Sequence, residues 1–561
     1  MTDPERSGGR MTGDGPTVRD LVLARAGDHR TGLLFEDRTW TWDEVVTQAH
    51  RWADLLMSRR RPGPFHIGTL LDTTPEHIFL LCGAALCGAT VVGLNATRSP
   101  AGLARDTRRA DCQVVVTEPA LRPRLDGIDL GVPVLDATRI DIPDHPAGSA
   151  PRVGPDSLYL LLFTSGTSGE PKAVRCSQGA IVRRGKKVAD RVSLGPEDTA
   201  YICMPLFHSN AIIAGFAPAL VAGAALALRR SFSASGFLAD VRKFGATYAN
   251  YVGKPLSYVL AQPERPDDAA STLRAVFGNE AAARDIVAFG RRFDCLVFDH
   301  YGQTEGGLTL ARDPADPPGA MGRGSGGERV VDPATGRECP PVRIENGRIR
   351  NADECIGELV NTGGLGSFEG YYDDPEAERE RTRNGWYWTG DLAFRDEQGR
   401  FYFAGRRGDW ARVDGENMAL AGIELVLQRH PDVVNLAVYP VPDPAAGDQL
   451  MVALHWRADR PFDPAAFERW LREQPDLGPK GIPRFVRLTR ELPMTATNKV
   501  RKRVLVAERW EVDDPVWWRS RAAAGFHRFD ASARDEWNML FERHGRAVAL
   551  DLAGSGYGGD S

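Results

Sequence analysis

One segment of the chain carries its strongest structural signal, and it reads Leu160-Leu161-Leu162-Phe163-Thr164-Ser165-Gly166-Thr167-Ser168-Gly169-Glu170-Pro171-Lys172. The apolar run from Leu158 to Phe163 predicts a buried strand. The glycines that follow let backbone N–H groups approach anionic oxygens. The hydroxyl groups add hydrogen-bond donors, and Lys172 adds a mobile positive charge. The segment therefore suits a loop that holds a polyphosphate, and a flexible Ser/Gly turn is the alternative.

The order of residues in this loop differs from the Walker motif, because Pro171 precedes Lys172 and no Gly-Lys-Ser/Thr closes the loop. Thr-Ser-Gly-Thr-Ser-Gly-x-Pro-Lys after an apolar strand instead resembles the signature loop of the adenylate-forming enzymes, which include acyl-CoA synthetases, luciferases and adenylation domains. One departure is Ala173, where that family usually has another glycine. The resemblance implies that ATP is bound by Thr164, Ser165, Gly166, Thr167, Ser168, Gly169 and Lys172.

The overall composition argues against several classes of function. The chain has 561 residues, of which 42% are hydrophobic and 26% charged, and its formal net charge of −5 gives no basic field for nucleic acid. Its 8 cysteines are scattered and form no Cys-x-x-Cys pair, which argues against a zinc site and against a secreted disulfide scaffold. We therefore expect a cytoplasmic protein that has no nucleic-acid partner.

Two apolar stretches, Ile78–Leu94 and Ala211–Leu228, raise the question of membrane spans. Their glycine and alanine content, together with Pro218, favours a buried helix followed by a strand. The first 16 residues are polar and Gly-rich and lack the apolar core of a signal peptide, so we expect a disordered tail there. Peripheral contact with a membrane is left open.

The alternation of helical and β-branched stretches predicts an α/β fold with mostly parallel sheets and flanking helices. This pattern restarts after Gly405 in a smaller unit. We expect a large N-terminal AMP-binding domain at 17–405, a small mobile α+β domain at 406–510, and a Trp- and Arg-rich extension of unknown purpose at 511–561.

Two polar segments follow strand-like runs, and the ends of strands are where α/β sheets bind ligands. The first segment is Gly278-Asn279-Glu280, and the second is Tyr301-Gly302-Gln303-Thr304-Glu305. Tyr301 offers a ring on which a purine can stack, and Gln303 and Thr304 offer hydrogen bonds. Glu305 offers a hard oxygen for the Mg²⁺ that accompanies ATP, whereas a turn with a surface glutamate is the alternative.

In the adenylate-forming family these two segments bind adenine and the metal ion. Together with Arg291-Arg292-Phe293, they resemble most the fatty-acid-transport and very-long-chain acyl-CoA synthetase branch. The resemblance also places His208, in Pro205-Leu206-Phe207-His208, as a gate of the acyl pocket, where a packed histidine is the alternative.

A carboxylate in Trp388-Thr389-Gly390-Asp391-Leu392 can accept hydrogen bonds from both ribose hydroxyls, or it can simply cap a turn. The resemblance assigns Asp391 to the ribose. It assigns Arg406, fifteen residues further on, to a phosphate or to the ribose.

The resemblance assigns the remaining roles to the smaller unit. Gly408 and Asp409 form the hinge, and Gly415 lines the coenzyme A channel. Lys499 reaches the α-phosphate, although Asn498 replaces the family's usual glycine, and Lys502 is the second candidate if the register differs.

The function implied is ATP-dependent ligation of a carboxylic acid to coenzyme A, with Mg²⁺ as cofactor and with Lys499, Glu305 and Thr164 as catalytic residues. The acid is expected to be a long-chain or bulky hydrophobic one, either a fatty acid or a steroid side-chain acid. An acyl-adenylate ligase that loads a carrier protein and a nucleotide-binding regulator without catalysis are the two alternatives. The sequence leaves open whether the protein is a monomer or a homodimer.

Overall fold

The structure is a computed structural model. It describes residues 15–140, 151–165, 171–313, 315–317, 319–345, 348–406, 410–413, 416–445, 447–474, 477–495, 500–519, 525–547 and 550. Several predicted site residues lie outside this part of the chain, namely Gly166, Thr167, Ser168, Gly169, Gly408, Asp409, Gly415 and Lys499. For Ser165 and Arg406 only the backbone is described.

The polyphosphate-loop strand lies in a sheet to which the described residues contribute six strands. Neighbouring strands are parallel except for the last pair, which is a hairpin. In spatial order the strands are Val134–Asp136, Cys112–Thr117, His66–Leu70, Thr90–Gly93, Leu158–Ser165 and Pro171–Ser177.

A second sheet, of eight described strands, carries the other two polar segments at its strand ends. Its six inner strands run parallel and its two edge strands antiparallel. In spatial order they are Thr309–Ala311, Leu296–Gly302, Ala275–Asn279, Tyr248–Val252, Thr199–Ile202, Ala225–Leu228, Thr31–Phe35 and Arg38–Thr41. The predicted α/β class with mostly parallel sheets is thereby confirmed.

Both long apolar stretches are a buried helix followed by a strand, as predicted. Ile78–Leu94 covers most of helix Pro75–Cys87 and strand Thr90–Gly93. Ala211–Leu228 contains a π-helical turn at Ile212–Phe216, helix Ala217–Ala222 and strand Ala225–Leu228. In each case a glycine with a φ of 71°, Gly88 or Gly223, ends the helix. Among the residues that the structure describes, no helix is both long and apolar enough to cross a bilayer.

Helices pack on the faces of these two sheets and connect their strands. The longest is Trp42–Ser58, which begins with a capping box of Thr41 and Glu44 and buries its apolar side. The other helical segments of this region are Val18–Leu23, Pro100–Arg109, Arg122–Leu125, Gln178–Arg191, Ser209–Ala211, Phe237–Phe244, Pro255–Leu260, Ala283–Phe293, Ala352–Cys355, Pro375–Arg381 and Arg383–Gly385.

A third sheet, of five antiparallel strands in the described part of the chain, carries the predicted ribose aspartate. Its strands in spatial order are Ala320–Gly322, Phe401–Arg406, Tyr387–Arg395, Gly357–Asn361 and Glu328–Val331. Between the strands Glu328–Val331 and Gly357–Asn361, the chain also forms a short antiparallel pair of Ile344–Glu345 with Arg348–Ile349.

The described residues from Trp410 to Leu550, called the C-terminal domain below, form a separate mixed sheet. Its strands in spatial order are Val433–Pro442, Asp448–Trp456, Phe485–Thr489, Val516–Arg519 and Phe526–Arg528. Its helices are Leu420–Leu427, Pro464–Glu473, Pro479–Gly481, Lys502–Glu508 and Ala531–Arg543, and a hairpin of Trp410–Val413 with Glu416–Ala419 precedes them.

The residues after 510 are predicted to be an extension, whereas the structure joins many of them to this sheet. Val516–Arg519 pairs with Phe485–Thr489, and Phe526–Arg528 pairs with Val516–Arg519. Helix Ala531–Arg543 buries Trp537 and Phe541 in the same aromatic cluster as Phe485. These residues therefore share one core with the rest of the C-terminal domain.

Candidate functional site

The loop predicted to hold a polyphosphate connects two antiparallel strands of the six-stranded sheet. Ser165 pairs with Pro171 and Thr164 pairs with Lys172, so the two ends of the predicted loop leave adjacent positions of an antiparallel strand pair. The Thr164 hydroxyl donates to the Lys172 carbonyl oxygen at 3.5 Å. This connection differs from a Walker loop, in which the strand leads into a helix.

Lys172 is more confined than the sequence suggests. Its residue exposure is only 5%, and its ammonium lies 3.5 Å from a carboxylate oxygen of Glu380. The ammonium also lies 5.6 Å from the centre of the Tyr371 ring. The structure therefore places a fixed cation at the base of the loop, rather than a freely moving one.

Glu305 is buried beside the same tyrosine. Its carboxylate accepts a hydrogen bond of 2.9 Å from the Tyr371 hydroxyl. The Tyr371 oxygen in turn accepts from Arg381 at 3.2 Å, and Arg381 also donates to the Trp388 carbonyl at 3.0 Å. Burial raises the pKa of Tyr371 and the charge of Glu305 raises it further, so the phenol keeps its proton as a donor. The alternative of a surface glutamate does not hold.

A second half-buried arginine fixes the backbone that leads to Glu305. Arg184 donates to the carbonyl oxygens of Thr304 at 2.9 Å and Gln303 at 3.2 Å. The Thr304 hydroxyl lies 2.8 Å from the hydroxyl of Ser209. The Gln-Thr-Glu segment is therefore held on both sides before any ligand binds.

Asp391 accepts hydrogen bonds at the centre of a second cluster of polar side chains. One of its carboxylate oxygens accepts from the Tyr301 hydroxyl at 2.5 Å and from the Gln303 amide at 2.7 Å. The same amide nitrogen donates to the Thr389 carbonyl at 2.9 Å, while the Gln303 oxygen accepts from Tyr387 at 2.8 Å. The structure thus joins the predicted purine and ribose residues directly, and it fixes the Tyr301 ring at its edge.

The backbone of Arg406 lies beside that of Asp391 because the two residues are paired on neighbouring strands. The pairing joins the antiparallel strands Tyr387–Arg395 and Phe401–Arg406. The fifteen-residue spacing noted in the sequence is therefore the path of one hairpin.

The Gly278-Asn279-Glu280 segment lies at the adjacent strand end, since Gly278 pairs with Asp299. A Cβ on Gly278 would lie 2.2 Å from the Tyr251 carbonyl oxygen, so only glycine fits there. The Asn279 carbonyl accepts from Gly253 at 2.9 Å, and Glu280 turns the chain with a φ of 67°. These contacts form a tight turn on which a flat ligand can lie.

A half-buried carboxyl group, that of Asp299, contacts this turn. Asp299 accepts from the Tyr251 hydroxyl at 2.7 Å and from the Ala281 amide at 3.1 Å. Burial raises the pKa of Asp299 to about 7, although both hydrogen bonds favour the charged form. Asp299 therefore titrates within the range in which most enzymes work.

His208 lies at the start of helix Ser209–Ala211, with its ring 4.4 Å from the ring of Phe207. The next two residues tie this helix to the site. Ser209 contacts Thr304, and the Asn210 amide donates to the Tyr251 carbonyl at 2.8 Å. The half-buried imidazole therefore lies on the same side as the Gln-Thr-Glu segment, as a pocket residue would.

Family comparisons agree with this geometry. Residues 22–372 match the family described as AMP-binding enzyme, and residues 422–499 match the family described as AMP-binding enzyme C-terminal domain. The chain belongs to the AMP-binding enzyme family. The resemblance seen in the sequence motifs is thereby confirmed.

Two curated relatives of this AMP-binding enzyme are nearly full-length matches. A steroid-22-oyl-CoA synthetase of Rhodococcus jostii is 47% identical over 96% of this chain and 99% of the relative. The medium/long-chain-fatty-acid–CoA ligase FadD17 of Mycobacterium tuberculosis is 47% identical over 90% of this chain and 99% of the relative.

A solved structure shares the fold of the AMP-binding enzyme. The anthranilate CoA ligase AuaEII, crystallised with anthranoyl-AMP, superposes with a TM-score of 0.75. The alignment covers 87% of this chain and 96% of AuaEII at 20% identity.

Three residues that orient Glu305 are not predicted from the sequence. Tyr371, Arg381 and Arg184 orient Glu305 or its backbone from segments 66 to 121 residues away. The paired tyrosines of Gly370-Tyr371-Tyr372, before a proline-initiated helix, are the one local signal that points to any of them.

Glu305 is the residue of this site whose chemistry fits a Mg²⁺ ion that arrives with ATP. Within the described ranges, no group of three or more His, Cys, Asp and Glu side chains is arranged to hold a metal. Glu305 supplies one carboxylate, which is what Mg²⁺ typically takes from a protein when phosphates provide its other ligands.

Proposed function

We propose that this AMP-binding enzyme is an ATP-dependent acyl-CoA ligase for a long-chain or bulky hydrophobic carboxylic acid. The enzyme class, an acid–thiol ligase, is confirmed by the family match and by the near full-length relatives that carry such names. The observation that carries the proposal is that one short segment, residues 301–305, contacts the predicted ribose aspartate and also supplies the predicted Mg²⁺ carboxylate. Tyr301 and Gln303 hold the Asp391 carboxylate, and two residues later Glu305 presents a second one.

The first half-reaction joins the acid to AMP. A carboxylate oxygen of the acid forms a bond to the α-phosphorus of ATP, and the bond to the β-phosphate oxygen breaks to release pyrophosphate. The carboxylate is already ionised near pH 7, because a carboxylic acid in water has a pKa of about 4, so no general base is needed. The protein contributes positioning and charge stabilisation.

The residues of this chain divide that work. Asp391 accepts from the ribose hydroxyls, and Tyr301 offers its ring face to adenine. Thr164, Lys172 and the loop between them bind the terminal phosphates, and Lys499 approaches the α-phosphate. Glu305 would hold Mg²⁺, which when bound neutralises charge on the phosphates.

The second half-reaction transfers the acyl group to the thiol of coenzyme A and releases AMP. In this proposal the C-terminal domain rotates about Gly408 and Asp409, which withdraws Lys499 and brings Gly415 to the pantetheine channel. His208 then separates the acyl pocket from the nucleotide.

The substrate proposal rests on the relatives and on the pocket side of the site. The two relatives act, by name, on a steroid-22-oic acid and on medium- or long-chain fatty acids. Both acids need an apolar binding site, and His208 lies beside the buried ring of Phe207. A carrier protein in place of coenzyme A is the alternative acceptor.

The proposal is tested by measuring AMP and pyrophosphate release for acids from acetate to C24, benzoates and steroid side-chain acids, each with and without coenzyme A. We expect turnover with an apolar acid only when coenzyme A is present. Pyrophosphate exchange without thioester formation would identify a carrier-protein ligase, and ATP binding without exchange for any acid would contradict an enzyme function.

A further inference from the structure

Two helices of the N-terminal domain contact the C-terminal domain beside the adenylate site. Arg284, in helix Ala283–Phe293, donates to the carbonyl oxygens of His430 at 3.1 Å and Val433 at 2.9 Å. The Asn435 amide donates to the Tyr258 hydroxyl at 3.3 Å. Both helices directly follow strand ends of the eight-stranded sheet, so these contacts start from the frame that holds the nucleotide.

Lys254 makes the third contact. It precedes helix Pro255–Leu260, and its ammonium donates to the side-chain oxygen of Gln428 at 3.2 Å. Burial lowers the pKa of Lys254, while the nearby charges of Asp285, Glu424 and Glu280 oppose that effect. One lysine thus interacts electrostatically with carboxylates of both domains, including Glu280 in the turn at the adenylate site and Glu424 in the C-terminal domain.

Glu424 continues this line of charges toward the proposed catalytic loop. Its carboxylate forms an ion pair of 3.0 Å with Lys502 and also accepts from the Val438 amide at 2.8 Å. Lys502 is three residues after Lys499, a separation that the chain spans in at most about 11 Å. This orientation therefore suits the first half-reaction, in which the proposed function has Lys499 approach the α-phosphate.

We propose that Lys254 and Arg284 are positioning residues that hold the C-terminal domain in the orientation for adenylate formation. They act through Gln428, through Glu424 and through the backbone of residues 430–433. The inference rests on the proposed two-step ligase function. A contact made in only one of two orientations shifts the population toward that orientation, so its loss slows the step that the orientation serves and spares the other.

The two half-reactions are measured separately in Lys254→Met, Arg284→Gln and Gln428→Ala. ATP–pyrophosphate exchange reports the first, and single-turnover transfer from added acyl-adenylate to coenzyme A reports the second. We expect exchange to fall about tenfold or more, the usual effect of losing a charge-assisted hydrogen bond, and transfer to stay within about twofold of wild type. Because Lys254 and Gln428 share one bond, their double variant should lose little more than either single variant.

Matched controls remove similar groups elsewhere. Lys243→Met breaks a surface ion pair of 2.8 Å with Asp37, and Arg191→Gln breaks a hydrogen bond of 3.3 Å to the Arg312 carbonyl. Both should leave the two rates unchanged. If Arg284→Gln does not fold, Lys254→Met and Gln428→Ala still decide the matter.

Equal losses in both half-reactions, or no loss in either, would overturn the positioning role. Wild-type protein that makes no adenylate with any acid of the panel would instead overturn the proposed ligase function. The two failures are therefore distinguishable.

Discussion

The Tyr371 hydroxyl and the carboxylate of Glu305, the residue proposed to hold Mg²⁺, form a buried hydrogen bond of 2.9 Å. Arg381 donates to the same hydroxyl, so the phenol connects a cation to an anion. This chain of contacts orients the carboxylate without neutralising it directly. Glu305 is therefore held in one orientation by its contact with Tyr371.

Replacing Glu305 with glutamine keeps the shape and the Tyr371 contact but removes the charge. We expect acyl-adenylate formation to fall by about 10²- to 10³-fold, the usual effect of losing one electrostatic group that acts on the transition state. Pyrophosphate exchange measured over a range of Mg²⁺ concentrations checks this. Tyr371→Phe, which keeps the carboxylate, should cost only about tenfold. Wild-type exchange in Glu305→Gln would exclude a role at the phosphates.

Asp391→Asn tests the ribose assignment. The aspartate oxygen accepts from both Tyr301 and Gln303, and an amide in its place would present only one acceptor atom. We expect the KM for ATP to rise about 10- to 100-fold, in line with loss of hydrogen bonds to a charged group. Asp332→Asn, which alters an exposed turn aspartate bonded to Ala334 and Thr335, is the matched control and should leave the KM unchanged. Equal KM values for the two variants would mean that Asp391 only caps its turn.

The pH dependence of stability should carry the signature of Asp299. Its pKa is about 7 in the folded protein, against 3.8 in the unfolded chain. The folded state thus keeps a proton that the unfolded state releases, so this group's contribution is fully favourable below about pH 4 and is lost as the pH rises to about 7.

Asp299→Asn stays neutral at every pH and keeps an acceptor for Tyr251 and Ala281. We therefore expect the variant's unfolding midpoint to gain on wild type between about pH 5 and about pH 8, because only wild type loses stability through this group. Differential scanning calorimetry at both pH values measures the change. A difference between the two proteins that is independent of pH would contradict the raised pKa.

The sequence predicts which strand ends form this site better than it predicts the tertiary contacts that hold the side chains in place. The strand-end pattern predicts that Gly278 and Tyr301 lie at one edge of the eight-stranded sheet, because parallel strands end at a common edge. The contact of Asp391 with Tyr301 and Gln303 joins this edge to a different, antiparallel sheet. The sequence does not reveal that Lys172 is buried against Tyr371, since that contact joins two distant parts of the chain through tertiary packing.

The aromatic extension shows the same limit. Its Trp- and Arg-rich composition, which ends in Gly, Asp and Ser, predicts a partly ordered tail of unknown purpose. In the structure, Trp518 lies on a strand and Trp537 on a helix, and both pack on Phe485. Short strands without strict alternation are recognised only when their partner strand is known.

Trp537→Ala tests whether the extension stabilises the C-terminal domain. The indole is 2% exposed and contacts Phe485, Trp510 and Trp518 edge-on. We expect the free energy of unfolding to fall by about 3–5 kcal/mol, the typical cost of truncating a buried tryptophan. Met539→Ala, on the same helix but 48% exposed, should cost less than about 0.5 kcal/mol. Urea unfolding followed by fluorescence separates the two, and equal costs would contradict a shared core.

Lys499→Ala and Lys502→Ala together test which of the two lysines contacts the α-phosphate. Lys502 is engaged with Glu424 at 3.0 Å, so its ammonium is committed to the C-terminal domain in this orientation. We therefore expect Lys499→Ala to lower pyrophosphate exchange by about 10³-fold, and Lys502→Ala to lower it by about tenfold or less. Because the proposed function withdraws Lys499 before thioester formation, Lys499→Ala should still transfer an added acyl-adenylate to coenzyme A at close to the wild-type rate. The reverse order of effects on exchange would assign the α-phosphate contact to Lys502 and shift the register of the loop by three residues.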